Sequence, residues 1–329
     1  MVLLDIFTDA DFYNAAIRLT TPLLLAAMGG LFSERAGVLN LGLEGMMLMG
    51  AFFGYLGAFY SHSVLIGLVV AALCGGLLAL LHAYLSITVK VDQIVTAVGL
   101  NMLALGITST FFRLIFGMDL KQLESPGMVP VNFGALSKIP FIGHIFFEQV
   151  PLVYLAVVLV LLVNYILYHT SWGLSIRAAG EHPKALDVAG IDVVKVRYLA
   201  VVLSGFLSGL GGAAITLSGI NTFYDNITAG RGFIAFAAIV FGKWTAAGTA
   251  MATLLFGAGE ALQLRLQAFN FQLPYQFFLM LPYALTLIVL IFFMGPAKGP
   301  AASGLPYIKD KARGHHRRTV KVKQSGANL

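Results

Sequence analysis

Four polar side chains lie inside otherwise apolar stretches of this 329-residue sequence, and they are its strongest candidates for contact with a polar solute. They are Asn40, Glu44, Gln93 and Asn101. Burying such groups in an apolar segment is costly, so by default they mark a solute path or a specific hydrogen bond. Amide and carboxylate groups supply the weak, exchangeable hydrogen bonds that a hydroxylated solute needs in order to bind and leave.

A structural explanation of the same side chains is also open. Asn40 and Glu44 are one helical turn apart and can hydrogen-bond to a neighbouring helix, which we favour over direct contact with a ligand. Hydrogen bonds between helices explain Asn101 equally well. Three glycines surround the first pair: Gly37, Gly42 and Gly45. They indicate a helix that begins late or unwinds locally, and unwound backbone could present its N–H and C=O groups to a solute.

Other chemistry finds no support in the sequence. A phosphate-binding loop of the form G-x-x-x-x-G-K-[ST] does not occur, so the chain has no visible means of binding ATP. His144 and His182 stand alone, and Cys74 is the single cysteine. These residues form no catalytic triad, zinc motif or internal disulfide. We therefore expect no enzymatic activity, no cofactor and no metal ion.

Composition indicates that the lipid bilayer is the solvent of this chain. Hydrophobic residues make up 58% and charged residues 11%, which is too little polar surface for a water-soluble globule of this size. Continuous apolar runs without strand-like alternation predict an all-α integral membrane protein, a polytopic bundle of about nine (8–10) transmembrane helices. The predicted spans are 13–32, 38–60, 63–88, 93–117, 150–169, 196–220, 232–242, 245–264 and 274–294. The segment 232–242 is too short to cross untilted and could be re-entrant.

The charge distribution predicts the orientation of the chain. From Lys298 to the end there are eight Lys or Arg and one acidic residue, Asp310. Beside a membrane span such a tail marks the cytoplasmic side more simply than it marks a nucleic acid partner, which we do not expect. Counting back through the spans places the N-terminus outside. The chain then divides into a transmembrane domain, 1–297, and a basic, flexible cytoplasmic tail, 298–329.

The predicted cytoplasmic loop 171–195 contains an unusually polar stretch, "GEHPKALDVAGI", at 180–191. Helix start and stop signals stand close together there, with Pro183 at a first helical position and Gly190 at a terminating one. A helix of about two turns is too short to be stable alone, so we expect it to dock, with Ala185, Leu186 and Ala189 on one face. The pattern alone fits a groove on a partner and the membrane surface equally well, and the loop's length favours the partner. The docking residues expected are Glu181, His182, Pro183, Lys184, Ala185, Leu186, Ala189 and Gly190.

Three stretches carry a resemblance to one family. Residues 177–197, which include "AAGEHPKALDVAGI", are similar to the coupling loop of ABC importer permeases of the branched-chain amino acid, ribose and nucleoside group. Residues 33–51, with "GVLNLGLEG", and residues 232–244, with "GFIAFAAIVFG", resemble two further signatures of that family. The placement of Glu44 after Asn40 is closest to its nucleoside and simple-sugar branch.

This resemblance, which runs from about residue 15 to 295, implies the membrane-spanning permease subunit of an ATP-driven importer. In the family the helix of the coupling loop sits in a cleft of an ATPase subunit, so residues 181–190 would contact that partner. Nucleosides fit the resemblance best, and ribose, other simple sugars and branched-chain amino acids are alternatives. The implied partners are ABC ATPase subunits, a second permease, different or identical, and an extracytoplasmic solute-binding protein. An ion-coupled secondary transporter or a channel is the alternative of a different class.

Overall fold

The computed structural model describes residues 7–117, 124–134, 136–268 and 298–309, together with 276–278, 280, 284 and 288. Every regular element in those ranges is helical. In chain order the helices are α1 (Ala10–Arg35), α2 (Leu43–Ser61), α3 (Val64–Ala83), α4 (Gln93–Phe116), α5 (Ile142–Phe146), α6 (Pro151–His169), α7 (Ser171–Glu181), α8 (Pro183–Val188), α9 (Val193–Ile215), α10 (Arg231–Phe241) and α11 (Ala246–Ala268). Widened, π-helical turns extend α3 through Tyr84–Val89 and α9 through Thr216–Ile220, and a 3-10 turn covers Leu136–Lys138.

The prediction of an all-helical, multi-pass membrane protein is confirmed. Five helices of the described ranges are long and apolar enough to cross a membrane: Ala10–Arg35, Val64–Val89, Gln93–Phe116, Pro151–His169 and Val193–Ile220. Helices also occupy the predicted positions 38–60, 232–242 and 245–264. The predicted span 274–294 lies outside the described residues except at isolated positions. The count of about nine spans therefore stays a prediction.

Helix boundaries follow local sequence signals. Asp92 accepts hydrogen bonds from two backbone N–H groups at the start of α4, and Asp192 does so at the start of α9. Thr170 accepts one such bond at the start of α7, while Pro151 and Pro183 occupy the first positions of α6 and α8. Such residues begin helices because the first N–H groups have no partner within the helix, and proline lacks that group.

Helix α1 is the central element of the bundle. It packs against α9, α10 and α11, and residues 20–34 are buried without interruption. A helix buried on all sides belongs to the core. In contrast, α3, α4 and α6 leave long rows of apolar side chains exposed. These three helices form the surface that lipid or another membrane subunit must cover.

Small residues allow α9 to lie directly against α2 and α3. A Cβ atom at Gly212 would be 1.8 Å from the carbonyl oxygen of Met47, and a Cβ at Gly209 would be 2.2 Å from that of Ala71. No side chain fits at either position, so backbone packs on backbone, as small residues spaced four apart indicate in membrane helices. The three helices therefore form one closely packed unit.

A compact segment closes the end of the bundle at which α1 begins. In its first part, the Ser125 and Met128 N–H groups donate to the carbonyl oxygens of Asn221 and Leu217, just beyond the end of α9. The Asn14 side chain of α1 donates to the carbonyl oxygen of His144 at 2.7 Å. The His144 ring in turn lies between Asp11 and Glu148, with 2.8 Å to each carboxylate. The long loop before α6 is thus fastened to the start of α1.

The first part of the predicted tail, residues 298–309, is described, and it lies against α7, α8 and the end of α1. Its backbone is hydrogen-bonded to Gly37 and Gly180. Residues 310–329 lie outside the described residues. The domain boundary at 297 stays a prediction.

Candidate functional site

The candidate residues occupy two neighbouring segments, the turn between α1 and α2 and the α7–α8 pair. We call residues 36–45 the pinned turn, because side chains from other helices hold its backbone. Gln93 Oε1 accepts a hydrogen bond from the Leu39 N–H at 2.7 Å, and His82 Nε2 lies 3.2 Å from the Leu39 carbonyl oxygen. Both backbone polar groups of Leu39 are therefore paired although they lie inside the bundle.

Asn101 holds the same turn from a second point on α4. Its Oδ1 accepts a hydrogen bond from the Gly45 N–H at 2.8 Å, and its Nδ2 donates to the Leu41 carbonyl oxygen at 3.1 Å. A side-chain amide suits this place because it offers both an acceptor and a donor. Gln93 lies a little over two helical turns earlier, on the same side of α4. One face of α4 therefore carries both side chains that bind the turn.

Asn40 connects the pinned turn to α1 and α9. Its backbone N–H donates to Glu34 Oε1 at 2.9 Å, and its Nδ2 donates to Ser204 Oγ at 3.0 Å. Its Oδ1 accepts from the Gly42 N–H at 3.2 Å. The side chain is fully buried. Its polar groups are therefore used within the chain, as buried polar groups usually are.

Glu44 connects the start of α2 to the start of α10. Its Oε1 accepts hydrogen bonds from Thr228 Oγ1 at 2.5 Å and from the Gly230 N–H at 2.9 Å. Its Oε2 accepts from the Gly232 N–H at 2.7 Å, and the residue is only 7% exposed. The first N–H groups of a helix lack internal partners and carry partial positive charge, so a carboxylate is stabilised there. Glu44 thus fixes the position of α10 relative to α2.

All four predicted polar side chains lie at the pinned turn and hydrogen-bond within the chain. This arrangement supports the structural explanation of Asn40 and Glu44, and contact of any of the four with a solute stays a prediction. Sequence reasoning missed Glu34, His82 and Thr228, which complete the network. The first two are polar groups inside apolar runs, the same signal that identified Glu44. Thr228 carried no such signal, because hydroxyl residues are common in membrane helices and turns.

Helix α8 has the boundaries that its sequence signals predict. It begins at Pro183, and the chain leaves it through Gly190, which has a φ of +83°. The Gly190 N–H donates to the Asp187 carbonyl oxygen at 3.0 Å, and the Ile191 N–H donates to that of Leu186 at 3.2 Å. This pair of bonds is a Schellman ending, which explains why a glycine terminates the helix.

The orientation of α8 differs from the one expected. Leu186 is 5% exposed and packs into the main core, whereas Val188 is 89% exposed. Leu186 therefore does not share an exposed face with Ala185 and Ala189, because this side chain anchors α8 to its own chain. The other predicted docking residues are exposed except for the partly buried Pro183: Glu181, His182, Lys184, Ala185, Ala189 and Gly190. Their role in docking stays a prediction.

The α7–α8 pair directly adjoins the end of α1. A Cβ atom at Gly180 would lie 2.2 Å from the Arg35 carbonyl oxygen, so the two backbones are in contact. The Arg35 guanidinium donates to the Trp244 carbonyl oxygen at 2.6 Å and to the Tyr168 hydroxyl at 3.0 Å. The pinned turn begins at the next residue. A displacement of α7 must therefore displace the end of α1 and the turn that follows it.

A cavity of about 560 Å³ lies on the exposed side of α3 and α4. Its lining is almost wholly apolar and includes Leu77, Leu81, Leu103 and Ile107. A polar solute needs several convergent hydrogen-bonding groups, which such a lining does not provide. The cavity suits an acyl chain or the helix of another subunit.

The fold defines the class of protein. It is a polytopic helical membrane protein with a short helical pair at one end, next to a polar network. The chain belongs to the family described as the permease component of the branched-chain amino acid transport system, whose model matches residues 13–290. The chain is 40% identical to the guanosine ABC transporter permease protein NupQ of Bacillus subtilis, over 94% of this chain and 98% of that protein. It is 38% identical to the nucleoside ABC transporter permease protein NupC of Lactococcus lactis subsp. cremoris, over 89% of this chain and 95% of that protein.

A third relative is named for a sugar and not for a nucleoside. The chain is 38% identical to the putative glucose ABC transporter permease protein TsgC13 of Haloferax volcanii, over 80% of each chain. No solved structure matches the sequence. Family membership is thus established from sequence.

Proposed function

We propose that this chain is the membrane-spanning permease subunit of an ATP-driven ABC importer for nucleosides. The observation that carries the proposal is the overlap with proteins named as guanosine and nucleoside permeases, which extends over 94% and 89% of the chain. The relative named as a putative glucose permease keeps simple sugars as the second candidate. Branched-chain amino acids, which the family description mentions, come after these.

The solute path should pass the exposed side of α4. Neutral, hydroxyl-rich solutes such as nucleosides and sugars need dipolar groups that bind weakly, not fixed ions. Of the four polar candidates, Asn101 is partly exposed, whereas Asn40, Glu44 and Gln93 are buried. We therefore place Asn101 nearest to the path and give the other three the task of holding the turn beside it.

A second permease should complete this path. The apolar faces of α3, α4 and α6 require a cover, and the largely apolar cavity between α3 and α4 cannot itself recognise a polar solute. A second membrane subunit, different or identical, would cover those faces and bring further polar groups opposite α4. An extracytoplasmic binding protein would deliver solute to the segment 124–149, with the N-terminus outside.

ATP hydrolysis should act on the membrane helices through the α7–α8 pair. We assign ATP binding to separate ATPase subunits that contact the exposed residues of α8. Movement of α8 would pass through the contact between Gly180 and Arg35 to the pinned turn. From there the hydrogen bonds of Asn101 and Glu44 lead to α4 and α10. Alternating access follows if these helices have two packed arrangements that the ATPase selects between.

The proposal is tested by uptake of labelled guanosine, uridine, ribose and glucose into cells with and without this chain. We expect uptake of the nucleosides to depend on the chain, with excess unlabelled ribose competing poorly. Uptake of a sugar alone would move the assignment to the second candidate. Purification of the tagged chain from the same cells should recover an ATPase subunit, and its consistent absence would count against an ABC importer.

A further inference from the structure

Residues 298–309, here called the strap, cross the end of the bundle next to α7 and α8. The Ala302 N–H donates to the Gly180 carbonyl oxygen at 2.8 Å, and the Gly304 N–H donates to that of Gly37 at 3.3 Å. The Ala301 N–H donates to Glu181 Oε2 at 3.2 Å. The strap thus binds both sides of the junction at which α7 meets the end of α1.

A buried arginine ties the strap to α9. The Arg197 guanidinium donates to the Leu305 carbonyl oxygen at 2.9 Å and to the Ala179 carbonyl oxygen at 3.2 Å. Arg197 is 1% exposed, and it forms no ion pair with any of the residues that the structure describes. A buried guanidinium needs acceptors, and leaving one unmatched is strongly unfavourable. The strap therefore supplies an acceptor that the bundle requires.

The far end of the strap is paired to α8. Lys309 Nζ lies 3.0 Å from Asp187 Oδ1. The ammonium group lowers the pKa of Asp187, and the carboxylate raises the pKa of Lys309. The lysine side chain is 73% exposed, so this ion pair contributes little to the stability of the fold. The pair joins the outer side of α8 to the far end of the strap.

We propose that the strap is part of the energy-coupling apparatus, where it clamps α8 to the end of α1 and the start of α9 so that these elements move as one body. The inference rests on the proposed function. Helix α8 has six residues, too few to keep its position without external contacts. Leu186 anchors its inner side, and the strap holds its outer part through Asp187. Without the strap, more of the movement of α8 would be taken up locally, and less of it would reach the pinned turn through α7.

The test compares two truncations in proteoliposomes that contain the chain with its partner subunits. A chain ending at residue 309 loses the segment beyond the strap, and a chain ending at residue 300 also loses most of the strap. We expect the longer chain to keep the ratio of solute transported to ATP hydrolysed. For the shorter chain we expect this ratio to fall at least about fivefold, with ATPase subunits still bound. Equal ratios in the two chains would overturn the proposal.

A charge exchange at Lys309 and Asp187 tests the same proposal without a truncation, so it still gives an answer if the shorter chain misfolds. Lys309→Glu places two carboxylates together, and we expect it to lower the coupling ratio about threefold. The double variant Asp187→Lys with Lys309→Glu restores an ion pair of reversed polarity and should restore the ratio. A structural role alone predicts no change in the ratio for any of these variants, and that result would refute the strap's part in coupling.

Hydrogen exchange tests the strap as a clamp independently of the proposed function. Amides of residues 183–189 should exchange faster in the chain ending at 300 than in the chain ending at 309, whatever solute is carried. Equal exchange would refute the strap as a clamp even if nucleoside transport is found. If full-length protein transports no nucleoside but couples ATP to another solute, the substrate assignment fails, and the coupling ratio with that solute tests the strap.

Discussion

The Glu44 carboxylate of α2 accepts a hydrogen bond from the Gly232 N–H of α10 at 2.7 Å. These residues lie 188 positions apart in the sequence, and their contact joins the pinned turn to the short helix α10. A Cβ atom at Gly232 would be 2.3 Å from the backbone nitrogen of Glu44. The two helix starts are therefore in direct contact, and α2 and α10 cannot move independently while the contact lasts.

Replacement of Glu44 by alanine should destabilise the protein. It leaves the N–H groups of Gly230 and Gly232 without their acceptor in a buried place, which costs about 3 kcal/mol. Glu44→Gln keeps one acceptor oxygen and should lose about half as much. Thermal unfolding in detergent measures both variants. An alanine variant as stable as wild type would show that water or other groups replace the carboxylate easily.

Replacement of Asn101 by alanine distinguishes support of the turn from contact with solute. If Asn101 only holds the turn, the loss of two hydrogen bonds should lower the stability by about 2 kcal/mol without a specific effect on KM. Contact with solute adds a several-fold rise in KM for uptake at unchanged assembly. Thr110→Ala, at an exposed position of the same helix, is the matched control and should change neither quantity. We expect both effects for Asn101.

Two apolar residues of α8 should behave in opposite ways. Val188→Glu alters an exposed side chain, so the protein should fold and insert normally but lose ATP-driven uptake by at least about tenfold. Leu186→Ala removes a buried anchor and should lower stability by about 2–3 kcal/mol, with some loss of assembly as a consequence. Copurification of ATPase subunits and thermal unfolding are measured together. Normal uptake by Val188→Glu would contradict docking through this face.

The close packing of α9 against α2 predicts that a larger residue is not tolerated at Gly212. Gly212→Ala places a methyl group 1.8 Å from the Met47 carbonyl oxygen, so α9 must shift away from α2, and the yield of folded protein should fall severely. Gly106→Ala in α4 is the matched control, because nothing lies within 4 Å of its added Cβ. It should be neutral or stabilising by up to about 1 kcal/mol, since alanine favours helix more than glycine does. Similar yields for both variants would contradict the packing of α9.

The His144 bridge predicts a pH dependence. Hydrogen bonds to Glu148, and then to Asp11, raise the pKa of His144 above its ordinary value of 6.5. A pKa raised by folding stabilises the folded state below the unfolded pKa, and that contribution is lost as the pH rises through the folded pKa. Wild type should therefore lose more thermal stability than His144→Gln between about pH 6 and about pH 9. After correction for the pH dependence of intrinsic amide exchange, the protection of residues 136–149 should fall over the same interval in wild type more than in His144→Gln.

Other charged groups also face the His144 bridge, and they bear on the pH experiment. Arg265 lies 2.8 Å from Asp9 and 3.7 Å from Asp11, and Arg18 donates to the carbonyl oxygen of Glu148 at 3.2 Å. These arginines and carboxylates are present in both proteins, so the difference between the two proteins reports the histidine. Parallel loss of stability in both proteins would show that the ring stays neutral or unpaired.

Much of the helical architecture could be predicted because its signals are local. Apolar runs mark the spans, and Asp92, Asp192 and Pro183 mark helix starts by chemistry that acts within one turn. The four polar candidates were also visible, since an amide or a carboxylate stands out in an apolar run. Family signatures then identified the segment that contains α8.

The partners of those residues could not be predicted, because they lie far away in the chain. Nothing in the sequence near Glu44 indicates Gly232, and the side of α8 that Leu186 occupies depends on the elements beneath it. The same holds for Arg197, whose acceptors lie on α7 and on the strap. Polarity reveals that a residue needs a partner, and only the packed structure shows which partner it has.

The central claim is tested most directly by the energy source of transport. The chain, with its ATPase, second permease and binding protein, is reconstituted in proteoliposomes, and labelled guanosine is offered on the side of the binding protein. We predict accumulation that requires MgATP at the ATPase side and is unaffected when a protonophore collapses the proton gradient. Accumulation driven by the gradient without ATP would contradict the account and would assign the chain to the ion-coupled transporters.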